Sequence, residues 1–120
     1  MATYLINHLR LPGGVPNEAF LSYLEQVEAT VEAHGGRFLA NGEGTVVEGA
    51  WTGLVVLLEF PDRAAVSAWS SSEEYQRIRS LRVNNAISDV VLLDSLPSGH
   101  SMRDFAQQTR AALAAPSAAR

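Results

Sequence analysis

The order of periodicities along this chain predicts an α+β fold: a four-stranded antiparallel sheet threaded β-α-β-β-α-β, with an extra helix after the last strand. Three observations predict it. Four runs, at residues 3–9, 37–48, 54–60 and 87–96, have strand-like lengths and are either alternating or continuously apolar. Between the first and second, and between the third and fourth, apolar residues recur at helical spacing. Gly and Pro clusters stand at the joints.

Each element has its own signal. In the first strand Tyr4, Ile6 and His8 point one way and Leu5, Asn7 and Leu9 the other. Leu11-Pro12-Gly13-Gly14-Val15-Pro16 is a connection that neither a helix nor a central strand accommodates. Asn17 has the short polar side chain that caps a helix N-terminus, and Phe20, Leu24, Val27 and Val31 form the apolar face that follows. Gly35-Gly36 ends that helix, because a left-handed cap costs Gly little. The second strand is expected over residues 37–40 and 45–48, interrupted by the turn-rich Asn41-Gly42-Glu43-Gly44. The third, residues 54–60, is apolar throughout except for Glu59, which suggests cover on both faces. Pro61 stops it, and Asp62 caps a helix with Val66 and Trp69 inward. Ser70-Ser71-Ser72 breaks that helix. Ser71 with Glu74 fits a capping box for the next stretch, where Tyr75, Ile78, Leu81 and Arg82 line one side. Ser101 is placed to cap a last helix reaching about Ala115, with Met102, Phe105, Ala106 and Leu113 along one side; residues 115–120 are expected to fray.

This order is the ferredoxin-like split βαβ arrangement. Two helices cover only one face of four strands, so the apolar second face predicts a homodimer with two sheets packed face to face, a dimeric α/β barrel. Residues 1–96 form the barrel domain and 97–120 a helical extension.

Composition narrows the chemistry. The 120 residues carry a net charge of −4 with no basic cluster, which argues against nucleic acid as a partner. No apolar run approaches the ~18–20 residues that span a bilayer, and the N-terminus lacks the pattern of a signal peptide, so a cytoplasmic protein without membrane contact is expected. Cys is absent, which removes thiolate nucleophiles and sulfur ligands. Lys is absent too: all nine basic residues are Arg, and no side-chain Schiff base is possible. Arg in place of Lys, with abundant Ala, is the residue usage of a GC-rich bacterial genome.

Several short segments carry a family resemblance. Gly35-Gly36-Arg37-Phe38-Leu39, Glu48-Gly49-Ala50-Trp51, Leu58-Glu59-Phe60-Pro61, Ala68-Trp69, Ser72-Glu73-Glu74-Tyr75, Arg79 and Leu81-Arg82 occur in the order seen in the bacterial "domain of unknown function 1330" family, which the first four-fifths of the chain resembles. The resemblance implies the dimeric α/β-barrel fold and no agreed activity. The wider superfamily includes cofactor-free monooxygenases, muconolactone-type isomerases, haem proteins, polyketide cyclases and ligand-sensing modules, and fold alone does not choose among these. The chain departs from the family pattern at Ala40-Asn41-Gly42-Glu43-Gly44, at Ser70 after the helical Trp, and in its added C-terminal helix.

The candidate site residues follow. Glu59, a carboxylate in an apolar strand, is the first acid/base candidate; its structural alternative is an ion pair with Arg37 or Arg82. His8 is the second, as a base or, with haem, a ligand; its alternative is a packed strand residue. Arg37 and Arg82 are candidates to hold an oxyanion or carboxylate. Trp69, Tyr75, Phe38 and Trp51 are candidates to wall a pocket for a flat ligand, with Asn85 a candidate donor to an enolate or helix-ending residue. His34 suits the helix C-terminus it precedes, and His100 lies in a loop. No metal-ligand spacing, phosphate loop or dinucleotide fingerprint is present, so no cofactor is expected. The function expected is a cofactor-independent enzyme acting on a small aromatic or polyketide-like compound by proton transfer, of the isomerase or cyclase type. A cofactor-free monooxygenase and a non-catalytic ligand-binding or stress-response module are the alternatives.

Overall fold

The computed structural model describes residues 1–116; part of the expected frayed end, residues 117–120, lies outside them. The elements are β1 (Thr3–Arg10), α1 (Glu18–Glu32), β2 (Arg37–Glu43), β3 (Leu54–Phe60), α2 (Arg63–Ser70), α3 (Glu73–Val83), β4 (Ile87–Asp94) and α4 (Met102–Ala114). The sheet order is β2-β3-β1-β4 and every neighbouring pair is antiparallel. This is the α+β, ferredoxin-like threading the periodicities predict.

Local chemistry sets the boundaries. Asn17 caps α1 by accepting from the Phe20 N–H at 3.0 Å, and Asp62 caps α2 by accepting from Ala65 at 2.8 Å. At α3 the capping residue is Ser72, which accepts from Tyr75 N–H, and not the expected Ser71; Ser71 instead donates to the Ser67 carbonyl at the end of α2. Ser101 and Asp104 form a reciprocal capping box at α4. β2 runs unbroken through Asn41 and Gly42 to Glu43, and residues 45–48 form no strand. Being an edge strand, β2 tolerates Gly42 at φ +134° and a register shift between Phe38 and Ala40, features that read in sequence as a turn.

Alternation divides the sheet into two faces. Thr3, Leu5, Asn7 and Leu9 of β1, with Leu58 and Phe60 of β3, turn toward the helices and are buried. Phe20, Tyr23, Val27 and Val31 of α1, Val66 and Trp69 of α2, and Tyr75 and Ile78 of α3 meet them. Gly36 is required where α1 turns into β2, since a Cβ there would lie 2.7 Å from Phe60 and from Val31. The opposite face shows Tyr4, Ile6, Val55, Leu57, Val91 and Leu93, none of them buried. No residue of α4 is buried, and its Met102, Phe105 and Leu113 stand exposed. Within one chain, β3 is therefore covered on one face only.

Candidate functional site

A cavity of about 540 Å³ lies between the helix-facing side of the sheet and the three core helices. Its walls are mostly apolar: Leu5 and Leu9 from β1, Val56 and Leu58 from β3, Val27 from α1, and Val66 and Trp69 from α2. Leu24, Asn41, Gln76, Arg79 and Val90 line it and are exposed, which marks where it opens. That volume is in the range of small-molecule sites.

Half of the polar residues that line the cavity, Tyr75, Gln76, Arg79 and Arg82, come from α3. Arg82, the last-turn arginine of α3, is only 8% exposed, yet its charge meets no carboxylate among the described residues. Its Nη2 donates to the Tyr75 hydroxyl at 3.0 Å and its Nη1 to the Ser88 hydroxyl of β4 at 2.9 Å. The guanidinium carbon also lies 5.9 Å from the ring centre of Tyr23. Ion pairs among the described residues involve Arg10, Arg37 and Arg63, never Arg82. Burial works to lower the Arg82 pKa, but its hydrogen bond and proximity to Tyr75, together with Tyr23, outweigh this and raise it. Arg82 therefore stays a cation. The Tyr23 hydroxyl, 3.4 Å from that of Tyr75, is pushed well above the ordinary tyrosine value by burial and by Tyr75, so it stays protonated.

Two further groups shape the cavity. Trp69 is fixed by its indole N–H, which donates to Thr30 Oγ1 at 3.0 Å, and its ring centre lies 4.1 Å from that of Tyr75. Asn7, in the middle of β1, is 8% exposed, and its Oδ1 has no hydrogen-bond partner. A buried amide oxygen left unsatisfied costs free energy unless something fills the cavity beside it.

Of the residues singled out from sequence, Arg82, Trp69, Tyr75 and Phe38 line this cavity. Glu59, Arg37, His8, Trp51 and Asn85 do not. Glu59 alternates with Leu58 and Phe60 and so faces the other side of the sheet, directly opposite Arg37 on β2, where Arg37 Nε donates to it at 3.0 Å. It is thus paired, the structural alternative stated for it, and its side chain keeps 24% of its exposure. His8 shares that outer face. Its Nε2 donates to the Thr52 carbonyl, its Nδ1 accepts from Arg10 at 3.0 Å, and its ring stacks on Trp51 with centres 4.3 Å apart. Asn85 donates to the Leu81 carbonyl and accepts from Asn17, tying the end of α3 to the start of α1. The buried polar cavity residues not named as site candidates include Asn7 and Tyr23, and Asn41, Gln76 and Arg79 at its exposed edge were not named either. A signal for Asn7 existed: it is the one amide between two leucines on the inward face of β1.

Among the described residues no three His, Asp or Glu side chains gather as a metal site needs, and no helix is long and apolar enough to cross a membrane.

Solved structures share the fold. The chain is similar to the RPA0582 protein of unknown function from Rhodopseudomonas palustris, at 20% identity, TM-score 0.64, over 80% of this chain and 83% of that one. It is also similar to SnoaB, a cofactor-independent oxygenase from Streptomyces nogalater, at 11% identity, TM-score 0.59, over 83% of this chain and 98% of that one. A dimeric ferredoxin-like protein of unknown function from Jannaschia sp. CCS1 matches at 16% identity, TM-score 0.56, over 79% of this chain and 100% of that one. None of the curated proteins compared matches the sequence. Residues 2–96, which hold the whole sheet and every wall of the cavity, match the domain of unknown function family DUF1330, and the chain belongs to that family.

Proposed function

We propose that the cavity takes a small, flat aromatic or polyketide-like compound in its ionised enol or phenol form, and that the protein is a cofactor-independent enzyme that moves a proton on it. The observation that carries this is Arg82: a buried cation with no carboxylate partner, placed on the wall of an apolar cavity. Held by two hydroxyl groups, with no carboxylate partner among the described residues, this cation is placed to take an anion arriving with the ligand. Trp69, Tyr75 and Phe38 supply flat surface for a ring.

Among the described residues neither a carboxylate nor an imidazole lines the cavity. The substrate is therefore one acidic enough to ionise itself, and the site's contribution is to hold its oxyanion. The Tyr75 hydroxyl, oriented by Arg82, gives its proton to a carbon of the bound enolate and recovers one from an adjacent acidic position. The net change is one hydrogen relocated, as an isomerase requires. Tyr23 stays protonated throughout, its hydroxyl 3.4 Å from that of Tyr75.

A cofactor-free oxygenase uses the same bound anion, with O₂ attacking the substrate carbanion. The shared fold with SnoaB and the absence of a wall-lining base both favour keeping it as the second reading. The apolar outer sheet face and the exposed stripe of α4 support a homodimer, the state in which the Jannaschia protein is described.

The test is turnover of acidic dicarbonyl and polyhydroxy-aromatic compounds, followed by spectroscopy and by oxygen uptake. Tyr75→Phe and Arg82→Met are expected to lower turnover by about a hundredfold or more. Glu59→Gln and His8→Ala are expected to leave it unchanged, because both side chains face away from the cavity. Oxygen consumption matched to substrate loss would select the oxygenase; binding without turnover of any compound would mean a ligand-binding module.

A further inference from the structure

We infer that the ligand of this cavity carries, besides its anionic oxygen, a neutral hydroxyl about one aromatic ring away, which donates to Asn7. The inference rests on reading Arg82 as the anion site and adds to it a second, independent contact that defines the ligand class: a hydroxyaryl or hydroxy-enol anion.

Asn7 is more than nine-tenths buried on the cavity wall, and its Oδ1 has no donor among the described residues. An amide oxygen accepts and cannot donate, so what completes it is an O–H or N–H. Its neighbours cannot help. On the same sheet face its cross-strand partners are Val56 of β3 and Val90 of β4, and its own strand supplies Leu5 and Leu9. An amide set among four aliphatic side chains has no structural task there that a Leu or Val would not perform at lower cost.

Sheet register places this acceptor relative to the cation. Arg82 is anchored on Ser88, which pairs with Leu9, while Asn7 pairs with Val90. Asn7 and Ser88 are therefore diagonal neighbours on one face, roughly 7–8 Å apart. A ring bearing a carboxylate or oxyanion at one end and a hydroxyl at the other spans a distance of that order. The two contacts make opposite demands, a negative charge at Arg82 and an uncharged donor at Asn7.

Isothermal titration of the wild-type protein with benzoate, para-hydroxybenzoate and para-methoxybenzoate tests this. The hydroxy acid is expected to bind about tenfold or more tighter than both others, since only it supplies a donor to a buried acceptor. In Asn7→Leu the hydroxy acid is expected to fall to the affinity of benzoate, with benzoate itself within about twofold of its wild-type value. Equal binding of the three acids to the wild type would overturn the Asn7 contact while leaving the Arg82 site standing, and this comparison needs no variant. A hydroxyl preference that survives in Asn7→Leu would overturn it equally. Failure of all three acids to bind the wild type would overturn the contact and the anion site together.

Discussion

Arg82 donates to the hydroxyl of Tyr75 across 3.0 Å, seven residues along the same helix, and neither side chain meets a carboxylate among the described residues. Two turns of α3 thus place a permanent cation and an ionisable hydroxyl side by side on one cavity wall. This pair organises the account of the site, and most of what can be measured follows from it.

Arg82→Met removes a buried charge that has only hydroxyl partners. Replacing it by an apolar side chain of similar length removes a desolvated charge but also the donor to the Tyr75 and Ser88 hydroxyls, two effects of opposite sign. The thermal midpoint of the ligand-free variant is expected to lie close to that of the wild type, while stabilisation by an added aromatic acid disappears. A large loss of stability in the variant would mean that the arginine is held as a structural element.

Tyr23 yields a pH prediction. Its folded pKa is raised, chiefly by burial, so the unfolded chain releases this proton first. The stability it contributes is fully present below the ordinary tyrosine value of about 10 and is lost as pH rises beyond it. Denaturant unfolding at increasing alkalinity should show this loss in the wild type and a smaller one in Tyr23→Phe. Ultraviolet titration should likewise leave the Tyr23 phenol unionised at a pH where a free phenol has titrated. Its ionisation at the pH of a free phenol would contradict its burial.

Much of the fold was legible in the sequence because it rests on local signals. Asn17 and Asp62 cap as their positions suggest, and Pro61 ends β3. The second strand was misjudged because Asn41, Gly42 and Gly44 are turn residues by composition, whereas an edge strand lacks the second neighbour that would exclude them. The site was legible in part. Trp69, Tyr75, Arg82 and Phe38 stood out by type and position, and all four reach the cavity. Glu59 stood out for the wrong environment: the apolar run around it is apolar on both faces, so hydrophobicity could not say which face a given residue takes. Strand alternation could, because Glu59 sits out of phase with Leu58 and Phe60. Asn7 and Tyr23 were hidden in patterns that explain them adequately as strand alternation and helix core.

Gly36 tests the packing that holds α1 against β3. A Cβ added there meets the Phe60 ring and Val31 at 2.7 Å, both fully buried. Gly36→Ala is expected to destabilise by about 1–3 kcal/mol in urea unfolding, the usual cost of overpacking. A neutral result would show that this junction has slack.

The Arg37–Glu59 pair is exposed on its arginine side and spans two neighbouring strands. Its contribution is expected to lie between about 0.2 and 1 kcal/mol in a double-mutant cycle of Arg37→Gln and Glu59→Gln, and to shrink in high salt. A coupling well above that would indicate that the outer face is buried in the assembled protein, as face-to-face packing of two sheets requires.

The most direct test of the central claim compares naphthoate with naphthamide, which share ring and shape and differ in charge, by calorimetric titration of the wild type and Arg82→Met. The account predicts at least about tenfold tighter binding of naphthoate by the wild type, and loss of that preference in the variant. Equal binding of the two compounds by the wild type, or a preference for the anion that persists without Arg82, would contradict it.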